Sequence, residues 1–380
     1  MFSYSLLSIT IGLIVIITSS CSHSATSSEA GLTTQMIEAD TLILSLDDST
    51  TQLASYIQPF LNDNHLQLAY LNKSGNNICF FDVASGHELK PIPLYKDGPN
   101  AIDITNITGL YHISPDTTAI YDYWSGTISY VDNQGYVSRR DTVSSSLSVQ
   151  QCGYVPIATT SAPLTKYRGG WIMANQLTGE IENGQTIYSL SLYYTNGKLV
   201  RGFGDYPAIY GKPTPLRWNT YLYLIPSFTI NSQEDIIVSF PASDSIRIYN
   251  SDLRYTSHYA GYSKTIHPKP SDNALIDKEH LLKNYCYVNI LYDPWRELYY
   301  RIVALPIADD NTQPSPGQAL PRPLAIVLLD KYFNKIGEYN IDDYCGSYSQ
   351  AFVSKKGLHI HSYSDDDDIL TFRTFIPKGI

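Results

Sequence analysis

The 380-residue chain carries 36 acidic against 26 basic side chains, a formal net charge of −10, and so lacks the basic footprint that nucleic-acid binding requires. Charged residues make up only 16% of it while Tyr alone contributes 32 positions, against the quarter that charged residues take in an average soluble protein. Such a surface is neutral, hydroxyl-rich and aromatic, as exported bacterial proteins often are, and no membrane-length apolar stretch follows the leader, so the mature chain is expected to be soluble apart from an anchor at its start.

The first 20 residues contain no Asp, Glu, Lys or Arg, and Leu6 to Ile17 form an apolar run too short to span a bilayer as a helix but matched to the core of a signal peptide. Thr18-Ser19-Ser20-Cys21 then places small residues before a cysteine, and Ser22 to Ser28 is a polar stretch without periodicity. This resembles a bacterial lipobox, with Thr18 where Leu is usual and no basic residue ahead of the apolar run; an ordinary cleaved signal peptide is the alternative. The organisation expected is a lipoprotein signal peptide over 1–20, a flexible tether over 21–38 beginning at a lipidated Cys21, and one domain over 39–380.

Leu42 to Leu46 is a strand candidate placed to complete a sheet formed by the other terminus. Ser49-Thr50-Thr51-Gln52 has capping-box spacing, with Leu53, Tyr56, Ile57 and Phe60 at helical intervals, and predicts a short helix ended by Pro59. From Leu66 the pattern turns to β: Leu66 to Leu71, Ile78 to Asp82 and Glu88 to Leu94, then Gly109 to Ile113, Thr118 to Tyr123, Thr127 to Asp132 and Tyr136 to Arg140, joined by short turns bearing Gly, Asn, Asp or Ser. Further units follow at Trp171 to Ala174 with Ile187 to Tyr194 and an Asn196-Gly197 turn; at Tyr221 to Ile225, Asp235 to Phe240, Ser245 to Tyr249 and Leu253 to His258; and at Tyr285 to Leu291, Glu297 to Leu305, Leu324 to Asp330 and Ile336 to Tyr339. The last runs through Ala351 to Ser354, Leu358 to Tyr363 and Leu370 to Phe375. A helix over Ser271 to Lys283, capped by Ser271, and a loop with Pro306, Pro314, Pro316, Pro321 and Pro323 are read as insertions.

Two stretches set the period. Phe81-Asp82-Val83-Ala84-Ser85-Gly86 and Tyr121-Asp122-Tyr123-Trp124-Ser125-Gly126 each end a strand on an aromatic and an aspartate and cross a Ser-Gly turn; their separation of about 40 residues is that of a propeller blade of four antiparallel strands. Strands such as Ile78 to Phe81, Tyr221 to Ile225 and Ile326 to Leu329 are apolar on both faces, so each must be covered by a neighbour on either side. About 340 residues in blades of about 45 to 55 give an all-β, six- or seven-bladed β-propeller; a β-sandwich offers no reason for the repeat.

Three motifs carry a family resemblance: Asp97-Gly98-Pro99-Asn100, Tyr292-Asp293-Pro294-Trp295-Arg296-Glu297-Leu298-Tyr299-Tyr300-Arg301, and Leu329-Asp330-Lys331-Tyr332-Phe333-Asn334-Lys335-Ile336-Gly337-Glu338. In this register, from about Leu42 to the end, the chain resembles the Bacteroidota lipoproteins catalogued as a domain of unknown function, number 4221 of that series. The resemblance implies a six- or seven-bladed propeller on a lipid anchor, and no activity or catalytic residue; the expected location is the outer membrane, on its periplasmic or surface face. Asp40-Thr41-Leu42, Asp48-Ser49-Thr50, Asp116-Thr117-Thr118, Asp141-Thr142-Val143 and Asp244-Ser245-Ile246 also resemble the O-glycan acceptor pattern of exported Bacteroidota proteins, with one or two at most expected to be modified.

Among candidate sites, Tyr292, Trp295 and Arg296 stand out. Asp293-Pro294 favours a turn, which would expose a planar aromatic and a fork of donors suited to a sugar ring or a carboxylate; the competing reading has Trp295 and Arg296 packing on the adjacent blade and satisfying its carbonyls. His359 and His361 share a strand face without a third metal ligand, and Asp365 to Asp368 reads as a solvated acidic loop lacking a Ca²⁺-loop pattern. Neither G-x-S-x-G nor S-x-x-K occurs at a strand end, so no catalytic residue, metal or cofactor is assigned. Cys79, in an apolar strand, is expected to be a buried free thiol; Cys286 and Cys345 are near enough in order to pair, and Cys152 has no assigned partner. The expected role is a non-catalytic binding or interaction module for a glycan, peptide or envelope protein. The alternative is a lactonase-like or glycan-active propeller hydrolase with a metal in its channel, and a structural subunit of an envelope complex is a third class.

Overall fold

Antiparallel sheets account for almost all regular structure in the computed structural model, which describes residues 34–52, 54–143, 154–177, 187–194, 199–211, 218, 221–271, 278–307, 322–344 and 346–379. The described strands form six sheets. The first joins β2 (Ile57–Asn62), β3 (His65–Asn72), β4 (Asn77–Asp82) and β5 (Glu88–Pro93); the second joins β6 (Ile107–Ser114), β7 (Thr117–Asp122), β8 (Thr127–Val131) and β9 (Val137–Thr142). The third is β10 (Tyr154–Ile157), β12 (Gly170–Leu177), β13 (Tyr188–Tyr194) and β14 (Leu199–Asp205), with β11 (Thr165–Tyr167) also paired to β12. The fourth is β15 (Ser227–Ile230) to β18 (Tyr255–Tyr259) through β16 (Ile236–Ser239) and β17 (Ser245–Tyr249), and the fifth is β19 (Cys286–Asp293), β20 (Leu298–Ala304), β21 (Leu324–Leu329) and β22 (Lys335–Ile341). The sixth takes β23 (Ala351–Ser354), β24 (Gly357–Ser362) and β25 (Ile369–Lys378) from the C-terminal end and adds β1 (Gln35–Ser45) as its outermost strand. Inner strands of neighbouring sheets contact one another at β2–β6, β15–β19, β19–β23 and β2–β23, and the third sheet shares its core with the second through Trp171 and Met173 and with the fourth through Ile172 and Leu190, so the sheets are blades of a closed six-bladed β-propeller. The expected fold class holds, and the blade number is the lower of the two.

The two-faced apolar strands explain the ring. On β4, Ile78 and Phe80 pack with Leu110, Ala119 and Ile128 of the second blade, while Cys79 and Phe81 pack with Phe352 and Phe372 of the sixth. On β21, Leu324, Ile326 and Leu328 meet the sixth blade at Ile360 and Phe375, and Ala325, Val327 and Leu329 meet the fourth at Ile237 and Ile246. Period-two alternation thus divides one strand between two interfaces. Arg301 rivets the fourth blade to the fifth: fully buried, it donates to Ser239 Oγ at 2.9 Å, to the carbonyls of Asp244 and Ala260 at 3.0 Å each and to that of Ser243 at 2.6 Å. It also lies 3.5 Å from the centre of the Tyr287 ring, and burial pulls its pKa down to about 10.

Hairpins are made by an aspartate or asparagine whose side chain folds the chain back. Asp82 Oδ1 accepts from the Ser85 backbone N–H at 2.7 Å and Asp122 Oδ1 from those of Trp124 and Ser125, with Gly86 and Gly126 in the left-handed region behind them. Asn231, Asn250, Asp293 and Asp330 repeat the arrangement, and there Glu234, Leu253, Glu297 and Phe333 hold the positive φ that glycine adopts at less cost.

Three sequence expectations change. The helix predicted from the Ser49 capping-box spacing is absent: Tyr56 precedes β2, and Ile57 and Phe60 lie on it. Pro59 is accommodated because β2 is the inner edge strand, bonded on one side only. Tyr221–Leu224 is a single helical turn, and Ser227–Ile230 is the strand in its place. Of the helix predicted over 271–283, Lys278–Lys283 is helical and 272–277 lie outside the described residues. So do the leader with Cys21, the tether up to residue 33, Cys152, Cys345, the Asn196-Gly197 turn and most of the proline-rich loop. Cys79 is a buried free thiol as expected.

Closure predicts that either terminus stabilises the whole ring. Leu44 on β1 and Leu370 on β25 are both fully buried partners in register, and Leu44→Ala or Leu370→Ala is expected to cost about 3 kcal/mol in one shared unfolding transition, measured by urea denaturation with two spectroscopic probes. Glu297→Gly, relieving a left-handed residue on an exposed turn, is expected to raise stability by about 0.5–1 kcal/mol. Gly135→Ala is expected to lower it, because φ is +84° and a Cβ there meets the Pro93 carbonyl.

Candidate functional site at the channel mouth

Each blade presents its innermost strand, or the segment beside it, to the axis. Together they enclose a cavity of about 350 Å³, within the range of small-ligand sites. Gln58 and Phe60 come from the first blade, Tyr111 from the second, Thr160 and Thr165 from the third, Phe228 and Thr229 from the fourth, Asn289, Tyr292 and Trp295 from the fifth, and Ala351 and Val353 from the sixth. No Asp, Glu, His, Lys or Arg is among the lining residues.

Asn289 is the unusual member. It interrupts the apolar run of β19 at a register shift between Tyr287 and Asn289, a bulge of the kind that re-aims a side chain. It is 1% exposed; its Nδ2 donates to the Ser349 carbonyl at 3.3 Å, while its Oδ1 is buried without a partner. A buried acceptor left unmet costs about 1–3 kcal/mol.

The sequence-selected trio meets at this wall with divided duties. Tyr292 and Trp295 are half-buried and line the cavity; the Tyr292 hydroxyl lies 3.1 Å from Ser232 Oγ. Arg296 stands behind them, its Nη1 3.0 Å from Asp293 Oδ2 and its Nη2 donating to the Lys355 carbonyl of the sixth blade at 2.7 Å. The Asp293 carboxylate is fully buried and also accepts from the Trp295 and Arg296 backbone N–H groups and from the Tyr300 hydroxyl. Both terminal guanidinium nitrogens are therefore spent on holding the turn and bridging the fifth and sixth blades. The inner-strand residues Phe60, Phe228, Thr229 and Asn289 were not singled out from sequence; the one local signal was a lone Asn inside Tyr287-Val288-Asn289-Ile290-Leu291.

A second cavity, of about 190 Å³, opens between the first and sixth blades and shares Leu61, Leu66 and Trp295 with the first; its other lining residues include His65, Lys355 and Lys356. A third, of about 200 Å³, includes Cys286, Tyr287 and Tyr348.

His359 and His361 line none of these cavities and are fully buried, His359 lying directly behind Phe352 and Ser354 of the cavity walls. The His359 ring nitrogens contact Ser354 Oγ at 2.7 Å and Thr374 Oγ1 at 2.9 Å, and His361 Nδ1 accepts from the Ser347 N–H at 3.1 Å. Among the described residues no three His, Cys, Asp or Glu side chains gather so as to hold a metal. Asp365 to Asp368 is exposed in the β24–β25 hairpin, and of the Asp-Ser/Thr tripeptides Thr41, Ser49 and Thr142 are exposed while Thr117 and Ser245 are half-buried. Burial lowers both histidines from 6.5 to about 4, so they fold neutral, and the unfolded chain takes up protons that the folded one refuses. Their contribution is complete above pH 6.5 and is lost as the pH falls towards 4, by up to about 1.4 kcal/mol per pH unit for each. Urea midpoints at pH 7 and pH 5 are expected to show this loss, and His361→Leu to flatten it.

No curated protein matches the sequence. The fold is shared with a Bacteroides vulgatus member of the DUF4221 family, at a TM-score of 0.77 and 18% identity over 91% of this chain and 99% of that one. It is also shared with a Bacteroides fragilis protein described as exported, at 0.57 and 11% identity over 90% of this chain and 95% of that one. The model of the domain of unknown function DUF4221 matches residues 33–340, most of the propeller from its closing strand to the fifth blade, and the chain belongs to that family.

Proposed function

We propose that this propeller is a non-catalytic binding module that takes a ligand, a glycan, peptide or segment of an envelope protein, at the mouth of its central channel. The observation that carries the reading is the chemistry of the wall: a cavity built by all six blades, without a titratable acid or base other than Tyr among its described lining residues, one of which, Asn289, holds a buried carbonyl oxygen without a partner. General acid–base or metal-assisted hydrolysis needs carboxylates, imidazoles or ligand clusters within reach of the substrate, and the channel supplies neither, so the hydrolase reading draws no support from it. Aromatic faces at Phe60, Phe228, Tyr292 and Trp295 suit flat or apolar ligand surfaces.

The cell envelope is the proposed location, with Cys21 as the lipidated residue and the membrane reached through that lipid. The support is the apolar run ending at Ser20-Cys21 and the polar stretch after it. Nucleic acid is not a proposed partner, given the net charge of −10. Metabolic labelling with an alkyne fatty acid is expected to mark the wild type and not Cys21→Ser; equal labelling of both would refute the anchor.

The channel reading is tested with a fragment library screened by ligand-observed NMR. Hits are expected on the wild type and are expected to be lost in Thr229→Trp, which fills the cavity from a half-buried position on β15. Asn289→Leu is expected to lose hits while keeping or gaining up to about 1 kcal/mol of stability, since it removes an unmet acceptor. Hits indifferent to Thr229→Trp, or none at all, would defeat the reading.

A further inference from the structure

The two cavities on either side of Trp295 differ in electrical character. The channel cavity is uncharged, whereas the smaller one is lined by His65, Lys355 and Lys356 and by no Asp or Glu. Lys355 and Lys356 are exposed at the two-residue turn between β23 and β24, and neither is ion-paired with a described residue. Of the nearby acids, Asp82 Oδ1 accepts from the Ser85 backbone and hydroxyl, Asp293 is buried and paired with Arg296, and Asp63, in the β2–β3 turn, does not line the cavity. In a chain of net charge −10 this pair of ammonium groups is a local concentration of positive charge. It acts over about one Debye length, roughly 8 Å at physiological salt, which is the scale of a ligand group seated beside it.

Resting on the channel reading above, we propose that the ligand is an amphiphilic anion. Its uncharged, apolar body occupies the channel cavity and donates an N–H or O–H to Asn289 Oδ1; its chain crosses the Leu61–Trp295 ridge; and a carboxylate, phosphate or sulfate end sits over Lys355 and Lys356. Three independent features converge on this class. The shared wall at Leu61, Leu66 and Trp295 sets the cavities side by side, the orphaned oxygen at one end asks for a donor, and the unpaired ammonium groups at the other ask for an anion. A neutral sugar would leave the second end unused, and a cationic ligand would be repelled there.

The test uses matched triads that share one apolar, hydrogen-bond-donating body and differ at the far end: indole-3-butyrate, indole-3-butanamide and 4-(indol-3-yl)butylamine, with the corresponding acid, amide and amine on phenol and N-acetyl-leucine bodies. Titrations followed by protein NMR are run on the wild type, Lys355→Glu/Lys356→Glu, Asn289→Leu and Thr229→Trp. Acids are expected to bind the wild type about tenfold more tightly than amides, with amines weakest, and to weaken as salt is raised while the amides do not. The double lysine variant is expected to reverse the order of acid and amine, Asn289→Leu to weaken acid and amide alike, and Thr229→Trp to remove all binding. Acids and amides binding equally, an acid preference that survives in the double lysine variant, or no binding by any member would overturn the anion assignment. Equal binding that is still lost in Thr229→Trp would leave the channel reading standing, whereas binding that persists in Thr229→Trp would overturn both.

Discussion

The pairing of β1 with β25 is the contact on which the structure depends. Gln35 lies opposite Lys378 and Ser45 opposite Ile369, so the sixth blade is assembled from both ends of the propeller. Without β1, Leu370 and Phe372, both fully buried, would lose the cover that Leu42 and Leu44 give them. The ion pairs from Arg373 to Glu38 and Asp343 lie beside this seam with their carboxylates well exposed, where such pairs contribute little. The apolar register is what holds the ring shut.

Closure has consequences at the axis. Because every blade shelters its neighbours, the inner strands can each leave one hydrogen-bonding edge unpaired around a channel without opening the core, and the cavity walls come from residues hundreds of positions apart. Arg301, with its donors satisfied by carbonyls and one serine, and Arg296, tied to Asp293 and to the Lys355 carbonyl, fix adjacent blades against each other on either side of β19. The strand that bears Asn289 is therefore held firmly. An unmet acceptor on a rigid strand is the kind of local cost that stability alone would remove and ligand recognition retains.

The same logic separates the two guanidinium groups from the two lysines at the channel mouth. Arg301 and Arg296 are structural because their donors are met within the chain. Lys355 and Lys356 keep theirs for solvent, on a turn that adjoins the shared wall of two cavities.

The all-β class, the blade period and most strand positions were legible in the sequence because they follow from local rules. Alternation places side chains on opposite faces, turns such as Asp82 to Gly86 and Asp122 to Gly126 reverse the chain, and strands apolar on both faces, such as Ile78 to Phe81, require neighbours. The errors fell where local rules compete. Tyr56, Ile57 and Phe60 have helical spacing, yet lie at or on an inner edge strand whose neighbours supply the burial a helix would have needed, and Tyr221–Leu224 reads as a strand but makes one helical turn. Tyr292, Trp295 and Arg296 were found from sequence because they stand together in one hairpin; that Arg296 is spent on Asp293 and the Lys355 carbonyl is a contact between blades. Blade number, the cavity, the place of Asn289 in its wall and the meeting of Trp295 with Lys355 and Lys356 were decided only by the tertiary structure. They depend on how six sheets close around an axis, and such distances have no counterpart in the spacing of residues along the chain.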